Sequence, residues 1–256
     1  MPQRNEADEP ISQFKLEGAP PPFYGGLTVL EARLHSDLAV SDARNFEFLR
    51  GAQSVPLTAE EIPAAQRDFP VVFAEGDEPT PVAALAARGA DAFLTESGAW
   101  RPDVYQPAYL RRMPFILARI DGDSKRRALC ADLKSPLFAS DPDAPPERRL
   151  FADGRPTELA QRAIKICEEF DVAAARTSTL CRRLSDLGVF ERRSVQVRTP
   201  GGVREFRGLV VISEAKLWEL DDATLAGLAR TGALNIAAAH LMSIANFRSP
   251  QAASTT

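Results

Sequence analysis

From Gly232 to Phe247 the chain runs sixteen residues without a charged side chain. This run constrains the fold more than any other stretch. It is shorter than the about 20 residues that a membrane-spanning helix needs, and it carries Asn235, His240, Ser243 and Asn246, so no transmembrane segment is expected. A helix that is apolar almost all round has to be buried in a core or an interface. Leu234, Ala237, Ala238, Leu241 and Ile244 are therefore expected to face inward. Leu234, Leu241 and Ile244 are also the candidate residues of a homo-oligomer interface.

Length and composition narrow the class. The 256 residues are 45% apolar and 26% charged, which suits a globular protein with an ample core and excludes a disordered or fibrous chain. A net charge of -4 gives no general electrostatic footprint for nucleic acid, so no nucleic-acid partner is expected. Of the 31 basic residues 26 are Arg, with pairs such as Arg182-Arg183 and Arg192-Arg193 that suit solvated faces and ion pairs. Cys130, Cys167 and Cys181 are an odd count without CxxC spacing, so they read as reduced, buried thiols of a cytoplasmic protein. Met1 to Glu9 is polar and acidic and does not read as a Sec signal.

The pattern along the chain predicts an α+β fold. Residues 1–22, ending in Pro20-Pro21-Pro22, and residues 248–256 read as flexible ends around one domain over 23–247, with a subdivision near 150 as an option. Phe46-Glu47-Phe48 alternates as a strand would. Thr58 and Glu61 are spaced as a capping box, so a short helix is expected from about Ala59 to Arg67. Val71 to Ala74 and Pro81 to Ala87 read as buried strands, with a tight connection around Glu96-Ser97-Gly98. A helical turn at Pro107 to Arg112 precedes strands at Phe115 to Ala118 and Arg127 to Leu133, joined by a turn at Asp121-Gly122. The N-terminal half is thus expected to hold a largely antiparallel sheet. Beyond Ala152-Asp153-Gly154, apolar residues recur at helical spacing from Leu159 to Phe170 and from Leu180 to Leu187, which predicts a helical pair ending at Gly188. A hairpin turning at Pro200-Gly201 and further helices capped by Ser213 and by Asp221 or Asp222 complete the C-terminal half.

The chain lacks the usual signatures of catalysis. It has no glycine-rich phosphate loop, no GxSxG elbow and no HExxH, and its only histidines are His35 and His240. No metal site and no cofactor are expected. His240 reads as a hydrogen-bonded core or interface residue, with a base role as the alternative. The most distinctive stretch is Trp100 to Phe115. It concentrates Trp100, Tyr105, Tyr109, Arg111 and Arg112 around prolines, and aromatic and Arg side chains are the ones that anchor interfaces. These five residues are the candidate ligand- or partner-binding set. The other reading is a core-wrapping connection whose aromatics pack and whose arginines clamp carboxylates.

In several stretches the sequence resembles the SapC family of bacterial proteins. The residues concerned are Val55-Pro56-Leu57, Glu60-Glu61-Ile62-Pro63-Ala64-Ala65, Phe69 to Phe73, and the run Trp100, Tyr105, Pro107, Ala108, Arg111, Arg112, Pro114, Phe115. Leu150-Phe151 with Asp153-Gly154, Gly208 to Val211 and His240 to Ser243 extend the resemblance from about Tyr24 to Phe247. That family takes its name from a bacterial surface layer. Its genes often lie beside TonB-dependent receptors, flavin-dependent halogenase-like proteins and cupin-like hydroxylases. The resemblance implies a non-catalytic accessory or binding protein with a protein or peptide partner, serving a peptide-modifying or TonB-dependent uptake system. The alternatives are an enzyme acting on peptides or other carboxylate-bearing substrates, and a surface-layer component.

Overall fold

A computed structural model describes residues 20–41, 44–76, 78–120, 123–141, 143–199 and 202–247. The ends expected to be flexible lie largely outside the described residues. So do the centres of the turns at Asp121-Gly122 and Pro200-Gly201. In chain order the strands are β1 (Thr28–Val29), β2 (Leu38–Val40), β3 (Val55–Pro56), β4 (Val71–Ala74), β5 (Thr80–Ala83), β6 (Phe115–Ile120), β7 (Asp123–Ala131), β8 (Phe138–Ser140), β9 (Phe151–Ala152), β10 (Arg155–Pro156), β11 (Phe190–Thr199) and β12 (Gly202–Ile212). The α-helices are α1 (Ile62–Ala65), α2 (Ala108–Arg112), α3 (Glu158–Asp186), α4 (Glu214–Trp218), α5 (Asp222–Arg230) and α6 (Ala233–Ser243). The fold is α+β, and its paired strands are antiparallel.

The chain forms two compact units, each assembled from two stretches: residues 1–45 with 112–169, and residues 46–111 with 170–256. The first unit holds the sheet β1-β7-β6, the pair β2-β8 and the hairpin β9-β10. Asp153 and Gly154 both take positive φ in that two-residue hairpin turn, where Gly is unstrained and Asp is tolerated. The core of this unit packs Leu30, Phe115, Leu129, Leu150 and Phe151 against Ala160, Ala163 and Cys167 from the first turns of α3. Buried Asp132 accepts the Gly25 amide at 2.7 Å and the Lys134 amide at 3.0 Å, satisfying groups that would otherwise be orphaned.

The second unit is built on a five-stranded sheet of order β11-β12-β4-β5-β3. Side chains alternate across a strand, so neighbouring residues of β4 serve different faces. Phe73 joins Val210, Ile212, Leu184, Leu228 and Ala237 on one face, whereas Val72 joins Val82, Val211 and Phe247 on the other. This is why β4 reads as a continuous apolar run. His240 of α6 lies in the core, fully buried, and its Nε2 accepts the Ile212 amide at 3.0 Å.

Four expectations are corrected. The run Pro81 to Ala87 is a strand only as far as Ala83, and Leu85–Ala87 is a 3-10 turn. Phe46 to Phe48 forms no strand: Glu47–Leu49 is a 3-10 turn, held by the Arg50 guanidinium on Glu47 at 2.6 Å and ended by Gly51 at φ 84°. The expected helical pair is one helix, α3, of 29 residues. Its middle, Val172 to Thr179, holds no Gly or Pro, and Thr177 and Thr179 return their hydroxyls to the Ala173 and Ala175 carbonyls instead of breaking the ladder. Gly188, at φ 67°, stands just past its end as expected. Ala238, expected to face inward, is exposed on α6, while Ala237 beside it is fully buried.

Candidate functional site

The site grows from the turn that begins α1. Thr58 and Glu61 form the expected capping box, with Glu61 Oε2 accepting the Thr58 amide at 2.8 Å and the Thr58 hydroxyl at 3.0 Å. The next orphan amide, Ala59, donates to Thr177 Oγ1 of α3 at 2.8 Å. Glu61 is only 6% exposed, so its second oxygen also needs donors. They come from the distinctive segment: Tyr105 Oη donates to Oε1 at 2.9 Å and the Ala108 amide at 2.6 Å. The Arg111 guanidinium stands 3.9 Å from the same oxygen.

A second carboxylate holds the segment further back. Asp68, beyond α1, accepts the Tyr105 amide at 2.8 Å. Trp100 Nε1 donates to the Val104 carbonyl at 3.0 Å, and its ring lies 5.3 Å from Phe93, 6.1 Å from Phe46 and 6.2 Å from Phe69. Residues 100–108 are thus fixed at both ends and at the middle. The Pro107 carbonyl then accepts the Leu110 and Arg111 amides and starts α2.

The sequence candidates separate by exposure. Tyr109 is buried and meets the Phe170 ring edge-on at 5.9 Å, and Trp100 is half-buried in its aromatic cluster. Arg112 is also buried and falls in the first unit rather than with the other four. What this surface presents to solvent is Arg111, its side chain 51% exposed and its guanidinium 6.0 Å over the half-buried Tyr105 ring. Burial holds the Tyr105 phenol above its ordinary range, the Glu61 charge and hydrogen bond add to this, and Arg111 opposes it. Tyr105 is therefore a neutral donor at any physiological pH.

In the sequence Glu61 shows only its local capping role, and nothing there marks Asp68 or Thr177. Their partners lie 37 to 118 residues away, where no spacing rule reaches. The one available signal was a carboxylate set against the apolar run Ile62 to Ala65. Leu234 and Leu241, expected at an oligomer interface, are half-buried against the Phe73 cluster, and Ile244 packs on the Val72 cluster. The exposed residues of that helix are Asn235, Ala238 and Met242.

The three thiols and His240 are buried. Burial pushes the thiols of Cys130 and Cys167 up to about 11 and that of Cys181 to about 12. Burial also lowers His240 to about 4, opposed by the Val71 backbone, so its imidazole is neutral. Among the described residues no three His, Cys, Asp or Glu side chains converge to hold a metal ion. No described helix is long and apolar enough to cross a membrane.

Fold and surface together define an α+β protein that presents an anchored Arg-aromatic pair. The SapC family model matches residues 30–249, nearly the whole chain. The protein belongs to the SapC family. No match was found among curated proteins or among solved structures.

Proposed function

We propose that this chain is a non-catalytic accessory protein of the cytoplasm that binds a carboxylate-bearing peptide or protein partner through Arg111 and Tyr105. One observation carries the reading: the half-exposed Arg111 side chain sets its guanidinium over an aromatic ring on a segment that two carboxylates hold in place. Arg presents a planar fork of donors that matches a carboxylate, and a ring beneath it limits the freedom lost on binding. The neutral buried imidazole and the protonated buried thiols support a binding role over a catalytic one. The gene neighbours implied by the family resemblance suggest the system served, a peptide-modifying or TonB-dependent uptake pathway.

Native mass spectrometry of the protein gently purified from its own cells tests this. A stoichiometric protein partner, lost in Arg111→Ala, is the expected result. A stoichiometric small ligand without a protein would overturn it in favour of an enzyme. Recovery of the protein in the cell-surface fraction would favour a surface-layer component.

A further inference from the structure

Glu61 divides its two oxygens between two jobs. Oε2 closes the turn at Thr58, three residues away, while Oε1 receives Tyr105 Oη and the Ala108 amide from the far segment. Resting on the recognition reading above, we infer that Glu61 is the positioning residue of the Tyr105-Arg111 surface. Its charge holds the ring and the first turn of α2 in register, so that Arg111 projects from a fixed base. A capping-box glutamate needs only its local donors. This one sits at 7% side-chain exposure under four donors, two of them 44 and 47 residues distant.

Only a carboxylate satisfies that arrangement. Glutamine would offer one accepting oxygen and turn an NH2 group toward donors, and aspartate is a methylene too short to span from Thr58 to Ala108. Both substitutions should release the segment while leaving the sheet intact.

Residue-resolved hydrogen exchange on the full chain tests the inference. In Glu61→Gln the Ala108 amide should exchange roughly ten- to hundredfold faster, the loss expected for a hydrogen bond to a charged group. The Leu57 and Ala84 amides, which donate to the Pro81 and Pro70 carbonyls, should keep their wild-type rates. A residue that merely supports the fold would raise all three together, and that outcome, or an unchanged Ala108, overturns the inference. Should Glu61→Gln fail to fold, Tyr105→Phe removes a single donor and should still speed Ala108 several-fold, with the same reversal if it does not. Native mass spectra of the wild-type complex add the functional arm. Loss of the partner in both Glu61→Gln and Arg111→Ala supports the inference. Loss in Arg111→Ala alone overturns positioning and leaves recognition standing, whereas retention in Arg111→Ala overturns both.

Discussion

His240 and the three cysteines show how burial disarms groups that would be reactive on a surface. The His240 Nε2 accepts the Ile212 amide, so the ring proton resides on Nδ1 and the neutral form is the one the core accommodates. Its folded pKa of about 4 lies below the 6.5 of an exposed imidazole, so between these values the unfolded chain binds more protons than the folded one. The associated stability is complete above pH 6.5 and is lost as pH falls toward 4. The loss is about 2 kcal/mol by pH 5, with a limit of about 3 kcal/mol. Denaturant titrations at pH 7 and pH 5 should show it, and in His240→Gln the difference between the two pH values should shrink by that amount. For the thiols, burial and raised pKa predict no reaction with a thiol-directed disulfide reagent in the native protein at pH 8, and three equivalents after unfolding. Rapid native labelling of any one would contradict the packing.

Among the elements, α3 and α6 carry the clearest tests. The apolar period on either side of Val172 to Thr179 marked two helices, yet periodicity alone cannot say whether a polar, β-branched middle breaks the ladder. Here Thr177 is buried, and its hydroxyl both caps the Ala59 amide and returns to the Ala173 carbonyl, so the middle is held by tertiary contact. Ala175→Gly, at an exposed position in that middle, should cost about 1 kcal/mol in a continuous helix. A cost near zero would indicate a break. In α6, the half-buried Leu241 packs against the core and its neighbour Met242 is 64% exposed. Leu241→Glu should lose about 2 to 4 kcal/mol, while Met242→Glu should leave the melting temperature nearly unchanged. Equal effects would mean that the exposed side is also covered.

At the scale of the molecule, the two units are interleaved in sequence, since each takes one early and one later stretch. The first unit needs Ala160, Ala163 and Cys167 of α3 to close its core. A fragment of residues 1–150 lacks them, and it should show the circular dichroism of an unfolded chain; cooperative melting of that fragment would refute this. Features under local control were legible in the chain before any fold was known. The capping box at Thr58-Glu61, the strands around Val72 and Val82, the stop at Gly188 and the burial of a charge-free last helix each follow from a few neighbouring residues. The α+β class and the SapC resemblance follow from their order along the chain. It took packing in three dimensions to make α3 unbroken, to turn Ala238 outward, to present Arg111 rather than Trp100 or Tyr109, and to set Glu61 against a segment 44 residues away. These outcomes depend on which donor or ring arrives from a distant part of the chain to satisfy a buried group, and that depends on packing in space rather than on spacing in sequence.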